Sequence, residues 1–521
     1  MTPENEWKPS FNPWLIATSV MLATFMEVLD TSVANVALPH IAGNLSATPE
    51  ESTWVLTSYL ISNAIILPAT NWLGSLFGRK RFLIVCIGIF TLSSALCGAA
   101  STLGMLLVAR ILQGAGGGAL QPIAQAVLLE SFPAEKRGAA MAAYGMGIVV
   151  APIIGPTLGG WITDNYSWRW IFYINIPVGL LAMLMAKTFI EDPPYIRTQR
   201  PGRIDYIGFG LMAVGLATLQ LVLDKGQEED WFASPFIVRS ILIAVVALIA
   251  FVVWELRTKE PIVNLRVLAN RNFAVGTTLI ATVGIALYGT TALLPLFLQT
   301  LLGYPALQSG LAVSPRGIGA VVSMIIVGRL LGRIDGRYLI VFGFAILAVS
   351  TYFLADINLT ITVRSIAWPQ VWSGFALGFV FVPLTVLTTG TLRNEEIGNA
   401  TGIYNLMRNV GGSFGIAAVT TLLARGAQAH QAAMVSHLTP YDPVFRERLS
   451  EMAANLAAQG GSMVTATEQA YGAMYQTLVR QATLLAYIDN FRLLALLCLI
   501  CLPAGLLFKK VRARGGATAM H

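Results

Sequence analysis

Apolar stretches of about 20 residues recur along the chain from Trp14 to Phe508, separated by short polar segments. A helix of about 20 apolar residues crosses the hydrocarbon core of a bilayer, which is about 30 Å thick. The pattern therefore predicts an all-α polytopic membrane protein with fourteen transmembrane helices. The predicted spans, numbered 1 to 14 in chain order, are residues 14–38, 52–73, 82–101, 103–129, 138–160, 168–190, 204–224, 236–256, 273–298, 306–330, 338–357, 367–392, 399–425 and 487–508.

Composition supports the membrane class. Of the 521 residues, 55% are hydrophobic and 12% are charged, whereas a soluble domain carries about twice that charged fraction. The net charge of +7 does not indicate nucleic-acid binding, because Lys and Arg cluster in the breaks between apolar runs instead of forming a stripe on one soluble face. The first apolar run is too long for a signal-peptide core, so we expect it to be retained as span 1.

The breaks between spans alternate in charge. Lys and Arg are nearly absent at residues 40–51, near Asp164, at residues 224–230 and at residues 300–305. The basic breaks carry Arg79, Lys80 and Arg81; Lys136 and Arg137; Arg197, Arg200 and Arg203; Arg257, Lys259, Arg266 and Arg271; Arg333 and Arg337; Arg393; and Lys509, Lys510, Arg512 and Arg514. The positive-inside rule then predicts an inner-membrane protein with both termini in the cytoplasm.

The two ends of the chain resemble each other at an offset of about 260 residues. Gly114 matches Gly374, and Tyr144 matches Tyr404. Such a repeat is typical of transporters built from two six-helix bundles with a site at their midplane. The predicted domains are an N-terminal bundle at residues 1–190, inserted helices 7 and 8 at residues 191–271, and a C-terminal bundle at residues 272–521.

Residues 426–486 are predicted to form one long polar loop on the outer side, with short amphipathic helices such as the run at residues 445–458. Long loops in compact proteins are often functional. Two interpretations stay open: the loop shields the outer mouth of the protein, or it provides a docking surface for a periplasmic partner.

Span 1 contains two acids near its centre. Glu27 and Asp30 are three residues apart and therefore lie on one face of the helix. An ionised side chain there costs at least about 2.5 kcal/mol, and such residues normally face a bundle interior or a water-filled path. Arg110, inside the apolar run of span 4, is the expected partner, since arginine keeps its charge and favours an ionised neighbour. We predict that Asp30, with Glu27 as a second acid, exchanges a proton; an ion pair that serves only packing is the alternative.

Span 5 carries a stripe of small residues and prolines. Small residues let helix backbones approach closely, and proline lets a helix bend. The stripe predicts a helix that bends and slides, while tight packing alone is the plainer interpretation. Its members are Gly147, Pro152, Gly155, Pro156, Gly159 and Gly160.

Polar and aromatic residues within several spans are candidates to line a substrate path. Aromatic residues at helical spacing also fit simple packing, so their residue type alone does not separate the two roles. The candidates are Trp54, Tyr59 and Asn63 in span 2, Gln113 in span 4, Tyr288 in span 9, and Asn405, Arg408 and Asn409 in span 13.

The sequence does not favour an enzyme. Residues 411–415 match the G-x-S-x-G pattern of serine hydrolases, but they lie inside an apolar run that predicts a helix, with no strand before them. The histidines have no zinc-binding spacing, and no phosphate-binding loop is present. The four cysteines lie inside apolar runs, where neither metal nor disulfide chemistry is expected. We therefore expect no cofactor, with protons as the coupling ion.

Several runs carry a resemblance to a known family. Residues 29–39 (LDTSVANVALP), which include Asp30 and Asn35, resemble the first-helix signature of the fourteen-helix drug:proton antiporters of the major facilitator superfamily, the EmrB/QacA group. Residues 110–114 (RILQG) resemble that group's fourth-helix motif, and the stripe in span 5 resembles its fifth-helix antiport motif. Residues 168–172 (WRWIF) and 314–317 (SPRG) are also typical of the group. The likeness covers almost the whole chain.

The turn after span 2 keeps part of a further family motif. Gly78, Arg79 and Lys80 match the pattern, but Asn71 stands where the family has its first glycine and Ser75 where it has an aspartate. The turn is expected to support conformational change, but Ser75 cannot make the contact that the family aspartate makes at this position.

The resemblance implies proton-coupled efflux of small amphipathic compounds by alternating access, with Asn35 added to the substrate path. It also implies a periplasmic membrane-fusion adaptor and an outer-membrane channel as partners. A proton-coupled transporter of one metabolite or siderophore, importing or exporting it, is the first alternative. A non-transporting scaffold or sensor is the second, although a scaffold has no reason to keep costly buried charges.

Overall fold

The computed structural model describes residues 9–193, 205–331, 333–436, 438–458 and 462–509. These residues form helices and connecting segments and contain no β-strand. Some residues used for the charge pattern and the histidine survey lie outside the described ranges. They are Arg197, Arg200, Arg203, His437, Lys510, Arg512, Arg514 and His521.

Fourteen helices are long and apolar enough to cross a membrane, as the sequence predicts. The chain is a multi-pass membrane protein. The observed spans 1 to 14 are Pro13–Asn44, Glu51–Phe77, Arg79–Ala99, Leu103–Ser131, Arg137–Asn165, Trp170–Phe189, Tyr206–Lys225, Pro235–Arg257, Arg271–Thr300, Gln308–Leu330, Gly336–Phe353, Val363–Thr389, Asn394–Val435 and Met463–Leu507.

Four of these spans are interrupted, and in span 14 a short 3-10 helix at Pro503–Leu507 follows the helix Met463–Cys501. Span 4 consists of Leu103–Gly117 and Leu120–Ser131, span 6 of Trp170–Tyr173 and Asn175–Phe189, and span 10 of Ala306–Val313 and Pro315–Leu330. In span 10 the break precedes a proline at the first position of the second helix, where its missing N–H is tolerated. In span 4 the break falls in a glycine run that packs directly on the backbone of spans 2 and 3.

Residues 426–486, predicted as a polar loop with short amphipathic helices, are mostly helical. Span 13 continues to Val435, a separate helix covers Pro443–Ala457, and span 14 begins at Met463. The helix of span 13 thus continues past its predicted end and that of span 14 begins before its predicted start, because these polar segments lack the hydropathy by which spans are recognised. We call residues 426–486 the helical extension.

Side-chain contacts hold the extension together. His430 Nε2 lies 2.7 Å from Asp489 Oδ2, and the Gln431 amide donates to the Tyr475 hydroxyl at 3.0 Å. The ring of Phe445, on the short helix, packs 6.2 Å from that of Tyr471, measured between centroids. The extension is thus a packed helical unit.

Span 8 packs on span 7, which in turn packs on spans 2 and 13. The amide oxygen of Gln220 in span 7 accepts from the Ser413 hydroxyl in span 13 at 3.1 Å, and Lys225 at its end donates to Thr53 in span 2. The turn after span 7 places Trp231 so that its indole donates to Thr421 at 2.9 Å. Span 7 therefore contacts both halves of the molecule.

Glycines bring the two halves into close contact. On one side spans 5 and 10 pack together, where Gly145 faces the side chain of Met324. On the other side spans 2 and 13 pack together, where Gly398 faces Asn71. At both places a Cβ atom would meet its neighbour within about 3 Å or less, so these interfaces depend on the missing side chain.

Candidate functional site

Asp30 lies at the centre of a buried polar cluster in the N-terminal half. Its carboxylate forms a 2.6 Å ion pair with Arg110 and accepts from the amides of Gln113 at 2.9 Å and Asn175 at 2.7 Å. Gln113 also accepts from Arg110 at 2.8 Å. Both charged side chains are at most 1% exposed. Spans 1, 4 and 6 are thus joined by one charge-assisted network.

Further contacts fix the position of Arg110. Its Nε donates to the carbonyl of Val55 in span 2 at 3.1 Å. Its guanidinium lies over the ring of Tyr59, 4.4 Å from the centroid, where the face of the ring attracts a cation. The packing of span 2 against this cluster therefore also depends on the charge of Arg110.

Glu27 forms a second cluster one helical turn away. The Tyr59 hydroxyl donates to it at 3.1 Å, the Asn63 amide at 3.3 Å and the Gln121 amide at 2.7 Å. Glu27 is 4% exposed, and it forms no ion pair with another described residue. Gly117 leaves the space for this arrangement, since a Cβ there would stand 2.6 Å from the Tyr59 oxygen.

Gln121 connects this cluster to the C-terminal half. Its amide nitrogen donates to Glu27, and its amide oxygen accepts from Arg408 in span 13. A second bond across the halves joins Asn405 to Gln125 at 2.8 Å. Span 1 and span 13 therefore share a hydrogen-bonded bridge through a single side chain.

Three of the four remaining candidates for a substrate path, Asn35, Trp54 and Tyr288, are not hydrogen-bonded to these clusters, whereas Asn409 contacts Arg408 of the bridge. Asn35 is exposed, and Trp54 lies near the end of span 7 with its ring 5.5 Å from the Lys225 ammonium. The ring of Tyr288 packs against Gly412. Asn409 accepts from the neighbouring Arg408 at 3.4 Å.

The stripe in span 5 packs on span 1 over part of its length. A Cβ at Gly159 would lie 2.9 Å from the Val33 side chain, and one at Gly155 would overlap Ser32. Gly147 has nothing within 4 Å of the corresponding position, and Gly160 has only a contact at 4.0 Å. Close packing thus involves two of the four glycines.

The prolines of span 5 change its hydrogen bonding. Pro156 has no N–H, so the carbonyl of Pro152, four residues earlier, lacks its usual helical partner. The Ser32 hydroxyl of span 1 donates to that carbonyl at 3.2 Å. An inter-helix bond therefore replaces one bond of the helix itself.

The turn after span 2 is tight and lies beside two acids. Gly78 has φ +83°, a conformation that favours glycine, and Arg79 forms a salt bridge with Glu130 in span 4. The backbone N–H of Lys80 donates to Asp192 at 2.7 Å. Asp192, just after span 6, thus supplies an acid beside the turn, where Ser75 replaces the family aspartate.

Sequence reasoning missed several members of the two clusters. Gln121, Gln125 and Asn175 were not among the site candidates, although each is a polar residue within an apolar run. Gln121 and Gln125 are four residues apart and lie on one helix face, which was a usable signal. The described residues contain no group of His, Cys, Asp and Glu that could hold a metal ion.

Comparison with known proteins identifies close relatives in sequence. The chain is 38% identical to the fatty acid resistance protein FarB of Neisseria gonorrhoeae, over 96% of this chain and 97% of that protein. It is 37% identical to the multidrug export protein EmrB of Escherichia coli K12, over 94% of each chain.

Solved structures share the fold. The human organic anion transporter MFSD10 superposes with a TM-score of 0.60 at 12% identity, covering 94% of this chain and all of that one. The proton:xylose symporter XylE gives a TM-score of 0.58 at 14% identity, covering 80% of this chain and 90% of that one.

The family follows from the sequence profile together with these relatives. Residues 20–416 match the profile of the Major Facilitator Superfamily, which agrees with the fourteen spans and with the resemblance of the motifs in spans 1, 4 and 5. The chain belongs to the major facilitator superfamily of secondary transporters.

Proposed function

We propose that this protein exports small amphipathic compounds across the inner membrane in exchange for protons. The observation that carries the proposal is the buried ion pair between Asp30 and Arg110, which holds three spans of the N-terminal half together. Intramembrane acids of this kind typically mark proton or substrate paths. The similarity to multidrug export proteins supports export as the direction.

Protonation of Asp30 would replace an ion pair with a neutral acid beside a buried cation. Arg110 retains its charge, so it would lose its compensating partner and favour a different arrangement of spans 1, 4 and 6. A proton moving inward can therefore drive a structural change. Each unit charge that crosses the membrane contributes about 2.3 kcal/mol per 100 mV.

The bridge through Gln121 offers a route from the acids to alternating access. Ionised Glu27 accepts from Gln121, whose oxygen accepts from Arg408 in the other half. Protonated Glu27 would have one acceptor fewer, which weakens this link between spans 1 and 13. We infer that Glu27 couples protonation to the relative movement of the halves, and that Arg408 and Asn405 border the substrate site.

We place both termini in the cytoplasm, because the basic breaks then face inward. In that orientation the helical extension projects into the periplasm. Its exposed apolar residues include Tyr441 at 90% and Val444 at 72% exposure, and they suit contact with another protein. We infer that a membrane-fusion adaptor, joined to an outer-membrane channel, docks there.

Efflux of a lipophilic cationic dye and of an acidic uncoupler from expressing cells tests the proposal. Wild type, Asp30→Asn and the control Asp164→Asn, an exposed acid near the end of span 5, are compared with and without a proton gradient. We expect gradient-dependent efflux that only Asp30→Asn abolishes. Equal efflux by Asp30→Asn would exclude Asp30 as the coupling acid, and dye accumulation would indicate an importer.

Docking on the extension is tested separately. The double substitution Tyr441→Ser and Val444→Ser should leave dye transport in everted membrane vesicles unchanged but abolish resistance in intact cells that contain the adaptor. Full resistance in those cells would contradict a docking role for these residues.

A further inference from the structure

Span 10 contains a second buried arginine that the proposed proton path does not use. Arg316 is 4% exposed, and its guanidinium donates only to hydroxyls, of Thr291 at 2.7 Å, Thr290 at 2.8 Å and Ser373 at 3.2 Å. Among the residues that the structure describes, none forms a salt bridge with it. A full positive charge therefore lies among neutral groups, at a high desolvation cost.

The internal repeat shows what this arginine lacks. An offset of about 260 residues relates the Asp30 cluster to the surroundings of Arg316. It pairs Asp30 with Thr290, Arg110 with Gln370, and Gln113 with Ser373. In the C-terminal half a hydroxyl thus stands in the place of the carboxylate, while a buried arginine is still present. The second cluster is short of one negative charge.

Three buried side chains, on spans 10, 11 and 12, carry polar atoms without a partner in the described part of the chain. They are Nε of Arg316, both amide atoms of Gln370 and the hydroxyl of Thr351. Gln370 and Thr351 are both 0% exposed. An unpaired buried polar group costs about 1–3 kcal/mol, and a ligand that accepts hydrogen bonds from these groups would offset that cost.

Helix packing brings these side chains to one level. Gln370 lies one turn before Ser373 on span 12, and Ser373 contacts Arg316 directly. Span 11 runs antiparallel to span 12, with Gly343 packed against Phe379. Thr351 lies eight residues after Gly343 on span 11, and the residue next to Gln370 lies eight residues before Phe379 on span 12. Because the two helices are antiparallel, Thr351 is level with the turn that contains Gln370.

We propose that Arg316, Gln370 and Thr351 bind a single small monovalent anion of the size of chloride. Nε of Arg316, the amide nitrogen of Gln370 and the hydroxyl of Thr351 are its donors. Thr290 and Thr291 serve only as acceptors for the guanidinium, because their hydroxyls already donate to backbone carbonyls at 2.8 and 2.6 Å.

The ion must be small because the helices around it are in direct contact. Spans 10 and 12 touch through the backbone at Gly319 and Gly374, which leaves no room between them for an organic acid. The anion neutralises Arg316 as the carboxylate of Asp30 neutralises Arg110. Chloride does not take up a proton in the physiological pH range, so this half keeps a constant charge while the N-terminal half changes its own.

Binding of radioactive chloride to the purified full-length protein in lipid nanodiscs tests the proposal, together with the thermal unfolding midpoint in chloride and in gluconate at equal ionic strength. We expect saturable binding near one ion per chain and a higher midpoint in chloride. Bromide should compete for the site.

Three variants locate the ion. Arg316→Gln should weaken chloride binding at least about tenfold, which is about 1.4 kcal/mol. Thr290→Asp supplies the missing carboxylate internally and should abolish both chloride binding and the chloride dependence of the unfolding midpoint. Arg329→Gln, an exposed arginine of the same span, is the matched control and should bind as wild type does.

The measurements on the wild-type protein test the proposal even without the variants. Absence of saturable chloride binding, with equal midpoints in chloride and gluconate, would show that water alone compensates Arg316 and would overturn the proposal. Binding that Arg316→Gln and Thr290→Asp both leave intact would also overturn it, because the ion would then lie elsewhere.

Discussion

Removing one member of the pair between Asp30 and Arg110 should destabilise the fold more than removing both. Arg110→Met leaves a buried carboxylate with only the neutral amides of Gln113 and Asn175 as donors. Breaking a buried pair from one side costs about 3–5 kcal/mol, which is about 10² to 10⁴ in the unfolding equilibrium. Asp30→Asn should cost a similar amount, because it leaves the cation unpaired.

The double variant Asp30→Asn with Arg110→Met contains neither charge. It loses hydrogen bonds of about 1 kcal/mol each but no longer has an uncompensated ion in the bilayer core. We therefore expect a total loss of about 2–3 kcal/mol and a coupling energy of at least about 3 kcal/mol between the two positions.

Equilibrium unfolding in mixed detergent and SDS micelles at neutral pH measures all four proteins of this cycle. The control pair is Asp164→Asn with Arg329→Met, two exposed residues whose effects should simply add. If the losses for Asp30→Asn and Arg110→Met also add, each side chain is stabilised by other partners, and the ion pair does not organise spans 1, 4 and 6.

Three further predictions concern the contacts between helices. Gly159→Ala should cost about 1–3 kcal/mol by overpacking against span 1 and slow efflux, whereas Gly147→Ala should leave both unfolding and efflux rates unchanged. Pro156→Ala returns a helical hydrogen bond to span 5. In the wild-type protein Ser32→Ala should lower the free energy of unfolding by about 1 kcal/mol, and in the Pro156→Ala background it should lower it no further. An equal loss in both backgrounds would show that Ser32 does not act by replacing that helical bond. Gln121→Leu removes the bridge between the halves. It should lower gradient-driven efflux at least about tenfold while dye binding to the purified protein persists. Equal losses of efflux and of dye binding would refute a coupling role for Gln121.

The fourteen spans and the principal ion pair could be predicted because each depends on a local or nearly unique feature. Spans are recognised from about 20 consecutive apolar residues, and an acid in span 1 has few basic partners inside the membrane. Arg110 was one of them, and the structure brings it to Asp30 at 2.6 Å.

The second cluster was harder to predict, because it depends on how helices from both halves meet. Glu27 is bound by Gln121, and nothing in the sequence shows that this glutamine also reaches Arg408, almost 290 positions along the chain. The helical extension was predicted only in part, for another reason. Its segments are too polar for a hydropathy criterion, although the short helix at Pro443–Ala457 matches the amphipathic run that the sequence predicts.

Span 13 is one uninterrupted helix of 42 residues from Asn394 to Val435, about 63 Å long. It passes the bridge at Arg408 and continues for 27 more residues, about 40 Å, to its end inside the extension. A tilt of about 10° at the bridge would therefore displace the far end by about 7 Å. Under the proposed coupling the helix would act as a rigid lever, so that a change in hydrogen bonding at the bridge becomes a movement large enough to be sensed, or resisted, by a protein bound at its tip.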